Sequence, residues 1–408
     1  MKIGIYNRYW GTMGGGEKHV GTIAEVLSRE HDVDLIRVSP LDVDAFRSRM
    51  GLGLERVNWV DWPGDSCAEL APRSACYDLF INSTYCSSMI SQAKRSVYLV
   101  FFPHHLGELS LPARALGRIS RNLRSARQDM LAGWLDRTRR LFRLIPPGKA
   151  RQFLDSYDLL LANSEFTGGW IRERWGRRAD VLPPPIDVGR YRSSDLEEKR
   201  KVVLSVGRFF AGDHNKKHLE MISAFRRICD RGLLPEGWEY HLAGSVHSER
   251  GDHLRYFEKV NELAQGYPIR ILGNLGSAEL LGEYAAASIF WHGSGWGEDE
   301  FAEPEKMEHF GMTTCEAMAA GVVPIVMPLG GQRETVENGV NGFYFRTEEE
   351  LVGRTVALMK MHKGAEMDRL RGRAVESVQK YAPEIFGREI MRKIEPIFQS
   401  IRVSEGGA

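Results

Sequence analysis

The sequence predicts an α/β protein with two doubly wound domains, each built on a parallel sheet. Short apolar runs that end in Gly, Asn or Ser alternate with longer amphipathic stretches in both halves of the chain, which is typical of βαβ units. With 408 residues, the chain is long enough for two domains that each have a core. A proline-rich segment near the middle separates the two series of units.

The first series predicts strands at 2–7, 33–38, 78–82, 97–102 and 158–162. Each is short, apolar and followed by a helical pattern, as a buried parallel strand should be. A run of three glycines, Gly14, Gly15 and Gly16, follows the first strand. Glycines at that point let the backbone approach another molecule that a Cβ would repel. The run lacks the GxGxxG spacing and the later acidic residue of a dinucleotide site, which disfavours a dehydrogenase.

The second series predicts strands at 202–207, 241–244, 269–273, 287–291 and 323–326. The prolines that follow Leu182 stiffen the backbone and the polar stretch 193–200 has no core pattern, so we predict domains at 1–190 and 198–380. A final helix is predicted over 381–402, crossing back to the first domain. Ligands of open α/β sheets bind beyond the carboxyl ends of the strands. We therefore expect the site in the cleft between two facing domains.

Composition argues against several classes of protein. The chain has 55 basic and 54 acidic residues, so there is no global electrostatic reason to expect nucleic acid. The five cysteines are scattered and lack CxxC spacing, which favours a reducing compartment such as the cytoplasm. No apolar run approaches the roughly 20 residues that cross a bilayer.

Two carboxylates, Glu308 and Glu316, lie eight positions apart around a turn formed by Phe310 and Gly311. The turn opens a predicted helix whose first N–H groups have no intrahelical acceptor and whose dipole favours an anion. A carboxylate accepts two hydroxyl hydrogen bonds at once. A glutamate on each side of a phosphate site therefore suits a nucleotide-diphosphate sugar, which has vicinal diols at both ends.

Two cations follow the first strand of the second half. Arg208 leaves the end of that strand and Lys216 enters the next helix, where both would flank a diphosphate and neutralise the charge on a leaving nucleotide. Lys217 is the alternative to Lys216 if the register slips by one residue.

With these residues in place, the chain resembles glycosyltransferase family 4, the retaining nucleotide-sugar enzymes with the GT-B fold. The resemblance covers nearly the whole chain and is strongest over 202–345, where Arg208, Lys216, the Glu308/Glu316 pair and the segment 330–334 appear in the family's order. It extends to the segment 163–166 and to the three-glycine run in the first half.

The resemblance implies a role for each motif. Glu308 would hold hydroxyls of the donor sugar beside the backbone of residues 310–312, and Glu316 would bind the ribose diol. The donor site would also include Thr313, in the first turn of the helix. Gly14, Gly15 and Gly16 would lie under the donor diphosphate.

One position departs from the family pattern. Many members carry a histidine at the end of the strand predicted at 97–102, where this chain has Phe101. Either His104 or His105 supplies the imidazole from further along the chain, or this branch works without one.

No metal is expected. Metal-dependent sugar transferases use an Asp-x-Asp at the end of a strand, whereas the triplet 32–34 begins a strand and the triplet 42–44 begins a helix. Charge neutralisation is therefore assigned to Arg208, Lys216 and the helix N-terminus, without a cofactor.

The segment 111–150 combines ten basic residues with two acidic ones and interleaves apolar residues at near-helical spacing. An apolar face with a basic border is typical of helices that rest on anionic lipid. The alternative is a helical insertion packed on its own domain. The acidic stretch 297–305 before Glu308 either shapes the sugar pocket or forms a solvated flap.

Together with the resemblance, these features predict a glycosyltransferase that moves a sugar from a UDP-, GDP- or dTDP-linked donor to a hydroxyl of a glycan or lipid-linked saccharide, as in bacterial cell-surface polysaccharide synthesis. Transfer with retention is what the resemblance implies. Its place would be the cytoplasm, at the inner face of the plasma membrane. Two alternatives stay open: an inactive donor-binding subunit, and a nucleotide-sugar epimerase of the same architecture.

Overall fold

The computed structural model describes residues 1–64, 66–106, 119, 131, 148–192, 199–212, 215–246 and 251–406. They form two compact units. The first comprises 1–163, 167–182 and 390–408, and the second comprises 164–166 and 183–389. Most of the basic segment predicted over 111–150 lies outside the described residues.

The first unit contains a seven-stranded parallel sheet with the strand order β3-β2-β1-β4-β5-β6-β7. Central strands such as β4 and β6 are buried along nearly their whole length, because helices of parallel-sheet units cover both faces. The strands are β1 Lys2–Tyr6, β2 Asp32–Arg37, β3 Val57–Asp61, β4 Leu79–Asn82, β5 Arg95–Val100, β6 Leu159–Ala162 and β7 Asp180–Val181. The helices between them are α1 Gly15–Leu27, α2 Val43–Met50, α3 Cys67–Leu70, α4 Gly148–Asp155 and α5 Glu165–Trp175.

The second unit contains a six-stranded parallel sheet with the order β10-β9-β8-β11-β12-β13. The strands are β8 Val202–Val206, β9 Glu239–Gly244, β10 Ile269–Gly273, β11 Ile289–His292, β12 Val323–Val326 and β13 Phe343–Tyr344. The helices are α6 Val188–Tyr191, α7 His218–Asp230, α8 Gly251–Ala264, α9 Ser277–Ala286, α10 Met312–Ala319, α11 Gln332–Thr335, α12 Glu348–Lys360 and α13 Ala365–Val378. Both sheets reverse their strand order next to the first strand, as doubly wound sheets do.

The ten predicted strands are all present, with boundaries shifted by at most two residues. Three further strands, β3, β7 and β13, were not predicted. The edge strand β3 is only partly buried, so it lacks the continuous apolar run of a central strand. The other two have two residues each and are too short to produce a pattern.

The last helix, α14 Pro383–Gly406, carries a stripe of buried residues at helical spacing. Its second half belongs to the first unit. There the ring of Phe398 lies 4.8 Å from the ring of His31, and Arg95 Nε donates to Ser400 Oγ at 2.9 Å. Within the ranges given above, no helix combines the length and the hydropathy needed to cross a bilayer.

Candidate functional site

The turn before α10 has a backbone conformation that requires glycine. Gly311 caps the helix with φ at +103°, a region that residues with a Cβ rarely adopt. A Cβ there would lie 3.0 Å from the side-chain amide of Gln332, which in turn donates to Thr314 Oγ1 at 3.0 Å. The backbone therefore passes close to α11 and leads into the first turn of α10, where N–H groups have no intrahelical acceptor.

A second glycine turn fixes the residues before this helix. The N–H of Gly331 donates to the carbonyl of Glu308 at 2.8 Å. A Cβ on Gly330, whose φ is +60°, would lie 2.2 Å from that same oxygen, and a Cβ on Gly331 would lie 2.3 Å from the carbonyl of His309. The two backbone segments are therefore in direct contact, which explains the paired glycines that the sequence places at 330–331.

The side chain of Glu308 lies between a lysine and a histidine. Its Oε2 is 2.6 Å from Lys216 Nζ and 2.9 Å from Nε2 of His292, the last residue of β11. The Glu308 side chain is 17 % exposed and the His292 side chain 2 %. Removing one partner of such a half-buried pair would leave a charge poorly compensated.

These contacts decide the charge on each group. Burial by itself would raise the pKa of Glu308, but the Lys216 ammonium and the contact with His292 outweigh it, so that the pKa lies well below its ordinary value. Burial lowers the pKa of His292, and Lys216 acts in the same direction. Near neutral pH the site therefore holds a carboxylate beside a neutral imidazole.

The structure separates the two lysines that the sequence left in competition. Lys217 caps α7 with φ at +59°, and its Nζ pairs with Glu298 at 2.7 Å. Lys216 is the one that reaches Glu308. Arg208 is exposed, with its guanidinium carbon 5.5 Å from the centre of the Phe210 ring.

The side chain of Glu316, in α10, contacts two tyrosines. The hydroxyl of Tyr284, in α9, donates to Glu316 Oε2 at 2.9 Å. Burial, and then the charge of Glu316, raise the pKa values of Tyr284 and Tyr191. The two tyrosine rings meet edge to face with their centres 5.3 Å apart. Glu316 is thus held by neutral hydroxyl groups and is only partly buried, so ligand hydroxyls suit the same carboxylate.

In the first unit, a glutamate of α1 forms a hydrogen bond with the three-glycine run that leads into this helix. Glu17 Oε2 accepts the N–H of Gly14 at 2.9 Å and the hydroxyl of Thr12 at 2.6 Å. Gly15 begins α1, and a Cβ on Gly16 would lie 3.2 Å from the Phe101 ring. The absence of a side chain at Gly16 lets Phe101 pack against the run. Contact between these glycines and a diphosphate stays a prediction.

The two candidate histidines lie beyond the strand end that Phe101 follows. His104 is packed within the first unit: its ring centre lies 5.7 Å from the indole of Trp175, and its carbonyl accepts that indole's N–H at 2.8 Å. Burial, with Arg174, lowers its pKa. His105 is exposed. The aromatic packing gives His104 a structural role, and a catalytic role for either histidine stays a prediction.

Both Asp-x-Asp triplets have local roles. Asp42 caps α2 by accepting the N–H of Ala45 at 2.9 Å, and Asp34 accepts the hydroxyl of Tyr77 at 2.9 Å. Among the side chains that the structure describes, no group of three or more His, Cys, Asp or Glu is arranged to hold a metal ion.

Sequence reasoning missed the residues that contact the two glutamates: His292, Tyr284 and Tyr191. His292 gave a weak signal, since it is a polar residue at the carboxyl end of a predicted apolar strand. The two tyrosines gave none, because each lies far from Glu316 in the sequence.

Two family models match adjacent parts of the chain. The Glycosyltransferase Family 4 model matches residues 13–190 and the Glycosyl transferases group 1 model matches residues 190–373. Their common boundary at 190 lies close to the division between the two units after Leu182.

Curated relatives are about a quarter identical to this chain over the aligned regions. The human GDP-Man:Man(3)GlcNAc(2)-PP-Dol alpha-1,2-mannosyltransferase is 25% identical over 262 residues, which is 59% of this chain and 49% of that protein. The D-inositol 3-phosphate glycosyltransferase of Geodermatophilus obscurus is 27% identical over 207 residues, 47% of this chain and 42% of that protein. The matched regions thus span about half the length of these relatives.

Solved structures match over almost the whole chain. Anabaena Alr3699/HepE in complex with UDP superposes with a TM-score of 0.68 at 17% identity, covering 97% of this chain and 100% of that one. A glycosyltransferase from Rickettsia africae gives 0.67 at 14% identity, covering 97% and 98%. At this identity the likeness establishes the fold, which is GT-B.

We expect Gly330→Ala to disturb the site through the backbone. The new Cβ would collide with the carbonyl of Glu308, and φ at +60° is strained for alanine. Gly339→Ala is the matched control, because its φ is +79° but nothing lies within 4 Å of its Cβ. We expect the control to lose about 1 kcal/mol of unfolding free energy from backbone strain, and Gly330→Ala to lose at least about 2 kcal/mol. Chemical denaturation measures both, and equal losses would contradict the packing of Gly330 on Glu308.

Proposed function

Because this chain belongs to glycosyltransferase family 4, we propose that it transfers a hexose from a nucleotide-diphosphate sugar to a hydroxyl group of a glycan or lipid-linked saccharide. The observation that carries the proposal is the ionised Glu308 beside Lys216, next to the N-terminus of α10. That arrangement combines hydroxyl acceptors, a cation and N–H donors within one unit.

Each group suits a different part of the donor. A diphosphate is favoured by the α10 N-terminus and by Lys216, with Arg208 as a second cation. A sugar hydroxyl donates well to a carboxylate that stays ionised near neutral pH, as Glu308 does. Glu316, already an acceptor for the hydroxyl of Tyr284, suits a ribose diol. UDP is bound by the structural neighbour HepE, and UDP-, GDP- and dTDP-sugars are the donors we propose for this chain.

We propose transfer with retention. The acceptor oxygen bonds to the anomeric carbon on the face from which the diphosphate leaves, and the bond to the phosphate oxygen breaks with its electron pair. The acceptor proton passes to the departing phosphate. Lys216, Arg208 and the α10 N-terminus would stabilise the charge on that group, so neither a carboxylate nucleophile nor a metal is needed.

We further propose that the enzyme acts at the inner face of the plasma membrane. The composition of residues 111–150 favours contact with anionic lipid. Such contact would bring the enzyme to a lipid-linked acceptor of cell-surface polysaccharide synthesis. Two of the segment's apolar residues, Ile119 and Leu131, are exposed, which suits this arrangement.

One observation favours a second candidate function, a donor-binding subunit without catalysis. Phe101 stands where many family members have a histidine, and its ring packs on Gly16. A subunit of this kind would bind the same donor and transfer nothing from it.

We expect one nucleotide sugar from a panel of UDP-, GDP- and dTDP-sugars to raise the melting temperature, with EDTA making no difference. Glu316→Gln should lose most of this shift, since the amide accepts hydroxyl hydrogen bonds less well than a carboxylate. Glu376→Gln is the control, because Glu376 is exposed on α13 and pairs with Arg373 of the same helix. If the shift needs a divalent ion, metal independence is wrong; if no donor gives a shift, the donor site is wrong.

We expect the product to keep the anomeric configuration of the donor sugar. NMR of the anomeric proton in the first product formed, or in sugar released to water without acceptor, measures this directly. An inverted anomer would rule out retention. Donor binding without release of any nucleotide, across a panel of acceptors, would favour the non-catalytic subunit.

We expect the protein to sediment with vesicles that contain phosphatidylglycerol and not with phosphatidylcholine alone. Binding should weaken as salt is raised, because each basic residue near the surface contributes about 1 kcal/mol of screened attraction. Replacing Arg137, Arg139 and Arg140 by Gln should reduce it. The control replaces Arg369 and Arg373, exposed on α13. Equal binding by both variants and the wild type would contradict the lipid contact.

A further inference from the structure

The acidic loop, residues 297–305, connects the carboxyl end of β11 with Glu308. The sequence left open whether it shapes a pocket or is a solvated flap. It starts at the edge of the sheet where ligands of α/β proteins bind, and it ends at the carboxylate that we assign to the donor sugar.

Two of its glutamates fasten the loop to the site. Glu298 pairs with Lys217 at 2.7 Å and with Lys306 at 3.1 Å; burial alone would raise the pKa of Glu298, but these two lysines lower it. Glu300 is buried. It accepts the N–H of Gly330 at 2.8 Å and forms an ion pair with Arg333. The loop is therefore held on both sides rather than loose in solvent.

Directly after these two anchors the loop presents an aromatic ring to solvent. Phe301 is 60 % exposed, whereas large aromatic side chains are usually well buried. Its backbone is fixed by Asp299, whose Oδ1 accepts the N–H of Phe301 at 2.9 Å and that of Ala302 at 3.2 Å. A solvent-exposed aromatic on a well-held backbone is pre-organised for a ligand.

We propose that Phe301 is the stacking surface of a subsite for a hexopyranose ring, an inference that rests on the proposed function and deepens it. A pyranose has an apolar C–H face that suits an aromatic face, and hydroxyl groups around its edge that suit carboxylates. The loop offers both, because the carboxylates of Asp299 and Glu303 lie within two residues of the ring in sequence and are partly exposed; Glu303 also pairs with Lys306 at 2.9 Å.

A membrane surface is the other partner that an exposed phenylalanine suggests. Here the flanking charge disfavours it: the loop has five acidic residues between 297 and 305, against three cations that pair with it, Lys217, Lys306 and Arg333. The remaining negative charge repels an anionic bilayer. The same acids favour a neutral, hydroxyl-rich ligand.

The experiment compares the full-length wild type with Phe301→Ala, Phe301→Trp and Leu233→Ala by calorimetry. Leu233 is the control because it is an exposed apolar residue, at 38 %, that follows α7. The probes are UDP, GDP and dTDP, their glucose and mannose conjugates, and methyl α-glucopyranoside and methyl α-mannopyranoside at saturating nucleotide. We expect Phe301→Ala to weaken sugar binding about tenfold, Phe301→Trp to retain it, and affinity for the free nucleotides to stay unchanged.

The probes separate the two sources of a ring. If Phe301→Ala weakens binding of the nucleotide sugars but not of the free nucleotides or the methyl glycosides, the subsite belongs to the donor hexose. If it weakens binding of the methyl glycosides, the subsite belongs to the acceptor. Either loss supports the subsite. Two outcomes would show that the subsite is wrong while the proposed function stands. In the first, the wild type and Phe301→Ala both bind nucleotide and bind every sugar with equal affinity. In the second, Phe301→Ala loses only its binding to phosphatidylglycerol vesicles. If no nucleotide binds the wild type, the proposed function fails and the subsite with it.

Discussion

The contact between the Gly330–Gly331 turn and the backbone of residues 308–310 is the constraint on which the site depends. Backbone atoms meet there with no room for a Cβ, so the position of Glu308 is set by main chain rather than by flexible side chains. The same turn donates its Gly330 N–H to Glu300. One pair of glycines therefore fixes the carboxylate before α10 and the loop that leads to it.

Neighbouring charges then determine the ionisation state of the Glu308 carboxylate. Lys216 keeps Glu308 ionised although burial opposes the charge. The pKa of His292 is lowered because burial, helped by Lys216, outweighs the opposing effect of Glu308. A carboxylate in this setting accepts hydrogen bonds and carries no proton to donate. Glu316 already accepts a hydrogen bond from the hydroxyl of Tyr284. The two acids are thus suited to binding hydroxyl groups.

Much of the fold was predictable from the sequence, because its strands and turns depend on residues that are neighbours in the chain. Central parallel strands are continuous apolar runs, so all ten predicted strands are present, whereas the half-exposed edge strand β3 was missed. The Phe310–Gly311 turn predicted the start of α10. The sequence analysis preferred Lys216 to Lys217, but no local pattern could test that preference. The outcome depends on the left-handed cap at Lys217, with the two side chains reaching Glu308 and Glu298.

By itself, the sequence determined the α/β class, the order of the strands along the chain, the family and the two glutamates, since periodicity and short motifs depend on neighbours in the chain. The tertiary structure decided what surrounds those glutamates. His292 and Tyr284 reach the site through strand order and helix packing, which bring together residues far apart in sequence. The loop around Phe301 is close to Glu308 in the chain, but its ion pairs with Lys217 and Arg333 and the hydrogen bond from Gly330 decide where it lies. Burial, pKa and exposure follow from that packing, and no local pattern encodes them.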